Sequence, residues 1–187
     1  MSFGKYYSPD KKVVDEAVEY AHSKDVLLVH AAGNDAKNSD EETSYPSRKL
    51  LSGTTVNNWL EVGASSFKAG KNLLGDFSNY GKNTVDLFAP GVDIYSTIVD
   101  NKYASESGTS MASPSTAGVA AILREYFPAL KANEVREVLM KTVVHYKKKV
   151  KVPGSKKGTT TLAAMSISGG FINTNNAVKE LLLNNKN

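Results

Sequence analysis

The 187-residue chain is 41% hydrophobic and 22% charged, a balance that gives one globular domain with a sizeable core and excludes overall disorder. Its formal net charge of +4 is modest, and its lysines are not interleaved with aromatics on a common face, which argues against nucleic acid as a partner. The lack of cysteine excludes thiol catalysis, disulfides and zinc-thiolate sites, and no stretch reaches the roughly 18 apolar residues of a membrane span.

In chain order, the opening "MSFGKYYSPDKK" has no apolar signal-peptide core, so any export signal is expected upstream of it. From Lys11 to Lys24, Val13, Val14, Ala17, Val18 and Ala21 recur at helical spacing, with Asp10 placed to cap the start; an amphipathic helix follows. "DVLLVHAAGN" then changes to a continuous apolar run ending at Gly33 and Asn34, as a strand buried on both faces does. Positions 35 to 44 read as a polar loop, and Leu60 to Ala64 as a second buried strand. "VDLFAPGVDIYSTI" gives short strand pieces broken at Pro90 and Gly91. The apolar "TAGVAAIL" predicts a buried central helix from about Ser110 to Tyr126, stopped by Phe127-Pro128, with Pro114 in its first turn. Val135, Val138, Leu139 and Thr142 line a further helix with Glu134 near its start, and "GGFINTNNAVKELLL" reads as a glycine turn, a short extended piece and a last helix. Helices alternating with apolar strands predict an α/β fold with a parallel sheet. The lysine-rich positions 145 to 158 around Pro153-Gly154 read as a solvated loop or hairpin; a polyanion-binding surface is the sharper alternative.

The segment "GTSMASP", 108 to 114, puts Ser110 at the mouth of the central helix, as either an N-cap or a nucleophile. Together with "MSFG" at 1 to 4, "HAAGN" at 30 to 34, "FSNYG" and "FAPG" between 77 and 91, and "GGFINTNNAV" near the end, it resembles the subtilisin-like serine peptidases, or subtilases, over most of the chain up to about Ala177. The resemblance implies a subtilisin-like parallel sheet with flanking helices, and a serine endopeptidase acting on polypeptides. It makes Ser110 the nucleophile at a helix N-terminus, where backbone N–H groups favour developing negative charge. It makes Asn34 the side-chain donor of the oxyanion hole, shared with the backbone N–H of the serine. Ser2, Phe3 and Gly4 are then one edge of the substrate cleft, Ala31, Ala32 and Gly33 the other wall, and Gly108 and Thr109 border the nucleophile.

The family's triad runs Asp, His, Ser, and its Asp and His segments both precede the equivalent of "MSFG". Neither is found in positions 1 to 187, so the chain is expected to be the C-terminal portion of a single catalytic domain, with Met1 an internal residue and the missing half a partner. Loss of the histidine costs about 2 × 10⁶ in turnover in subtilisin, so the chain alone is expected to look inactive. Of the three histidines, His22 reads as a helix-surface residue, His30 as a satisfied core residue and His145 as an exposed one, and none is assigned as base. A lysine base is disfavoured because the first basic residue in the following helix is Arg124. The rival from another class is a non-catalytic peptide-binding or interaction module that keeps the fold.

No cofactor is expected. Asp35, Asp40, Glu41 and Glu42 offer hard oxygen ligands that suit calcium, though a solvated acidic loop is the simpler reading and no metal ligand is assigned. Without the family's upstream strands, exposed apolar edges are expected to favour homo-oligomers or poor solubility. The family resemblance implies a secreted or periplasmic parent.

Overall fold

The computed structural model describes residues 1–184, and the side chain of Asn184 lies outside the description. Its centre is a sheet in the order β1 (Leu28–Ala31), β2 (Trp59–Ser65), β3 (Leu87–Pro90), β9 (Gly170–Phe171), β6 (Val144–His145). The first four strands are parallel and β6 is antiparallel to β9. The predicted α/β fold with a parallel sheet is what forms. Val29 and Ala31 of β1 and the valine, leucine and alanine of β2 and β3 are buried, on both faces of the sheet, which is why these strands read as continuous apolar runs.

Helix α2 (Thr109–Tyr126) lies across β1, β2 and β3 and buries Ala112, Thr116, Ala120 and Leu123. Sequence predicts a helix buried on several faces; instead one stripe faces the sheet, while Ala117, Gly118, Ala121 and Ile122 are exposed. Nothing among the described residues covers that second face, which keeps its small side chains in solvent. Pro114 is the sixth residue of the helix, beyond the first turn predicted for it. Its missing N–H leaves the Ser110 carbonyl without its helical partner, and the Ser2 hydroxyl donates to that carbonyl instead, at 3.1 Å.

Helix α3 (Ala132–Lys141) packs on α2 and β2, and α4 (Thr174–Asn184) on α3 and α2; Val135, Leu139, Ala177 and Leu181 join the main core. Helix α1 (Lys11–Ser23) buries Val18 against Leu50, Val56 and Trp59. Its predicted apolar face is corrected. Val13 is 66% exposed and Ala17 is exposed, whereas Asp15 is buried, its carboxylate accepting the Leu51 N–H at 2.7 Å and pairing with Lys11. Asp10 occupies the N-cap position but contributes its carbonyl, not its side chain, to the first turn.

The hairpin of β4 (Ile94–Ile98) and β5 (Lys102–Glu106) stands off the sheet, with Tyr95 stacked on Tyr103. The lysine-rich stretch forms β6 and then a small hairpin, β7 (Val150–Lys151) with β8 (Thr159–Thr160), as the solvated-hairpin reading expects. Lys151 pairs with Asp76 at 2.9 Å.

Two charged clusters clasp these layers. Asp86 is fully buried beneath β2; it accepts the Glu61 N–H at 2.7 Å and pairs with both Arg48 and Arg136. Asp25, in the turn after α1, accepts Arg124 of α2 and the Ala132 N–H of α3, both at 2.7 Å. The Ala132 N–H bond foremost, with the Arg124 charge and hydrogen bond, holds the Asp25 carboxyl below its usual range, although desolvation acts the other way.

Candidate active site

Ser110 is the second residue of α2, so its N–H belongs to the first turn, where N–H groups have no intrahelical acceptor. Asn34 follows the end of β1. Its Oδ1 accepts two donors from Thr109, the backbone N–H and the hydroxyl, each at 2.9 Å. With the oxygen fixed in this way, the Nδ2 donor is turned outward. A Cβ built on Gly108 would stand 3.5 Å from that Nδ2 and 3.5 Å from the Ser110 N, so the two donors border one small space. Two donors facing one small space are the kind of arrangement that an oxyanion hole requires.

Thr109 is fully buried, and its hydroxyl also accepts the Gly33 N–H at 3.1 Å. The residue assigned to substrate from sequence therefore has its side chain turned inward, holding the end of β1 to the start of α2. Gly33 has φ +105°, a conformation that favours glycine, and a Cβ there would collide with the Asn79 amide. That amide is itself held by Ala32 O at 2.9 Å, while its oxygen accepts the Asp35 and Lys37 N–H groups at 3.1 and 2.9 Å.

A cavity of about 250 Å³ opens beside Ser110, lined among others by Ser2, Phe3 and Gly4 from the N-terminal segment and by Ala31, Gly33 and Asn34 from the end of β1. Both sequence-assigned walls meet there except Ala32, which is buried in the sheet and pairs with Val62. A second cavity of about 400 Å³ lies across Ser110, between the β4–β5 hairpin and Met111–Pro114. The serine thus stands between two open sites on one surface.

Sequence reasoning missed Tyr6, Ser44, Ser78 and Asn79. Tyr6 donates to Asp35 at 2.7 Å; burial first, then this bond, raises its phenol above the usual range. Ser78 and Asn79 sit in the "FSNYG" motif, whose match is their only sequence signal; Ser78 is buried and accepts the Ala64 N–H at 2.9 Å.

Among the described residues, no imidazole bonds to Ser110. Its hydroxyl donates instead to the Ser2 carbonyl at 3.2 Å. His22 is exposed on α1, and His145 is exposed with its Nδ1 3.2 Å from Gly169 O. His30 is fully buried, between Glu61 and the Phe3 carbonyl at 2.8 Å each.

In the acidic loop, Asp40 accepts Asn83 and Thr84, Glu41 accepts Asn38, and Glu42 pairs with Lys37. No group of three His, Cys, Asp or Glu side chains converges in a way that would hold a metal ion among the described residues.

A model of the subtilase family matches residues 1–180. The chain is 36% identical over 131 residues to Subtilisin DY of Bacillus licheniformis, covering 70% of this chain and 44% of that protein. It is 45% identical over 111 residues to a thermophilic serine proteinase of Bacillus sp. strain AK1, covering 59% of this chain and 24% of that one. It is 38% identical over 129 residues to M-protease of Shouchella clausii, covering 69% and 30%. The chain spans less than half the length of each of these relatives.

Proposed function

Since the chain belongs to the subtilase family, we propose that it carries the nucleophile and the oxyanion hole of a serine endopeptidase whose general base comes from outside this chain. Its main support is the small space bordered by Asn34 Nδ2 and the Ser110 N–H, beside a hydroxyl that lies between two open cavities. Cavities on both sides of the serine suit a polypeptide that continues past the scissile bond in both directions.

Ser110 Oγ attacks the peptide carbonyl carbon and forms the C–O bond, while the carbonyl electron pair moves to oxygen and is met by the two donors. The hydroxyl proton passes to the base, which returns it to the leaving amine; water then hydrolyses the acyl-enzyme. Without that base, the isolated chain is expected to turn over about 10⁶-fold more slowly than a complete site.

A second reading, a peptide-binding module without chemistry, is favoured by the Ser110 hydroxyl being engaged with the Ser2 carbonyl. A fluorophosphonate probe, whose fluoride Ser110 displaces, separates the two. The chain alone should label slowly. The chain joined to an upstream subtilase segment carrying the Asp and His should label rapidly, and Ser110→Ala should abolish it. Rapid labelling of the isolated chain would overturn the absent base, and no labelling of the joined protein would leave the peptide-binding reading standing.

A further inference from the structure

We propose that His30 and Glu61 hold one proton between them and act as a positioning pair that fixes the Phe3 carbonyl, and with it the Ser2–Gly4 wall of the cleft. His30 on β1 lies beside Glu61 on β2 in the parallel register. The ring has no exposure, and each of its nitrogens faces an oxygen at 2.8 Å: Nδ1 faces Glu61 Oε1, and Nε2 faces the Phe3 carbonyl. A carbonyl can only accept, and so can a carboxylate. A neutral imidazole has one N–H and one bare nitrogen, so with an ionised Glu61 either tautomer leaves a lone pair against an oxygen.

Two arrangements satisfy both contacts: an imidazolium against a carboxylate, or a neutral ring accepting from a Glu61 carboxyl. In both, one proton lies between Nδ1 and Oε1, and Nε2–H donates to Phe3. The surroundings keep the pair in place. Glu61 Oε2 accepts the Trp59 indole N–H at 2.8 Å, and the Trp59 ring lies 5.1 Å from the imidazole. Asp86 also faces the pair: it takes the Glu61 N–H and is balanced by Arg48 and Arg136.

The Phe3 carbonyl depends on this bond, whereas Ser2 is held separately by its hydroxyl donating to the Ser110 carbonyl at 3.1 Å. The Phe3 side chain is 66% exposed. On either side, Met1 O accepts the Ala31 N–H at 3.0 Å, and Lys5 pairs with Tyr45 at 3.0 and 2.8 Å. Between these anchors, His30 takes the Phe3 carbonyl, while the preceding Ser2 carbonyl is turned to the Ser110 hydroxyl. A ring with a single N–H beside an ionised Glu61 would keep that N–H against the carboxylate and leave Nε2 bare, so the Phe3 carbonyl would lose its donor.

The test needs no turnover, so it stands apart from the peptidase reading, on which only the pair's effect on substrate rests. Imidazole ¹⁵N spectra of the 187-residue chain should show Nε2 protonated at neutral pH; a bare Nε2 would overturn the proposal. The Phe3 carbonyl ¹³C resonance should move upfield in His30→Phe, which removes the Nε2–H donor, and an unchanged resonance would count against the pair. Glu61→Gln supplies an amide N–H in place of the shared proton, so it should keep the Nε2–H bond and the parent Phe3 resonance; a bare Nε2 in this variant would place the proton elsewhere.

Discussion

Thr109→Val replaces a hydroxyl by a methyl of nearly the same volume, so packing around this fully buried residue is kept while two hydrogen bonds are lost. The Gly33 N–H, 3.1 Å from the hydroxyl, is left without its acceptor. Asn34 Oδ1 keeps the Thr109 N–H at 2.9 Å and loses its second donor. The larger cost is the stranded Gly33 N–H; Gly33 is half-buried and lines the cavity, so the low end of the range for buried groups applies, about 1 kcal/mol. At about 2–4 °C per kcal/mol for a chain of this size, Tm should fall by roughly 2–4 °C. Thr109→Ser keeps the hydroxyl and should lie much closer to the parent. Thermal unfolding followed by circular dichroism reads both variants at equal protein concentration. If Val and Ser are equally stable, the hydroxyl does not tie β1 to α2, and the account of how Asn34 is aimed fails with it. Asn34 freed to rotate should also slow fluorophosphonate labelling of a complete protein, toward the loss of about 10²–10³ measured when the corresponding donor is removed from subtilisin.

Gly33→Ala should destabilise more than an exposed Gly→Ala change, because the left-handed backbone and the Asn79 amide both oppose a Cβ; urea unfolding of Gly33→Ala against Gly118→Ala, where nothing lies within 4 Å, compares them. Asp86→Asn leaves Arg48 and Arg136 against a neutral amide and should cost about 3–5 kcal/mol, read by urea unfolding; a change under 1 kcal/mol would mean that the buried ion cluster is dispensable. Because the Asp25 carboxyl is depressed from 3.8, its contribution is present above pH 3.8 and fades as pH falls through its lower folded value; a carboxyl titration by NMR that matches a free aspartate would contradict this. The open second face of α2, with Ile122 44% and Tyr126 75% exposed, should make the isolated chain associate as its concentration rises, and light scattering that stays monomeric throughout would count against this.

The parts of the molecule legible in the sequence are those whose signal is local. The runs at Leu28–Ala31 and Trp59–Ser65 are apolar because both faces of a parallel strand are covered, and the α2 start is marked by glycine, small residues and a following apolar run. Asn34 and Ser110 come from motifs, and the space they border lies where those motifs meet. Illegible were the partners that only folding brings together. Asp86 finds Arg48 and Arg136 from 38 and 50 positions away, and no spacing rule announces such a cluster. Helix α1 misled because its period is satisfied equally by Val13 and Ala17; the buried Asp15 settles the orientation through Leu51, a residue of a distant loop. The β4–β5 hairpin carries no buried face, so alternation there had nothing to report.

The single threonine that joins Asn34 to α2 also sets an order of events as the chain folds. Asn34 and Thr109 are 75 positions apart, and the amide acquires its direction only when the end of β1 and the start of α2 have docked. An unfinished or unfolded chain carries the serine without an assembled pocket for the carbonyl oxygen. On the peptidase reading proposed above, the ability to receive the carbonyl oxygen would belong to the completed fold and not to either motif alone.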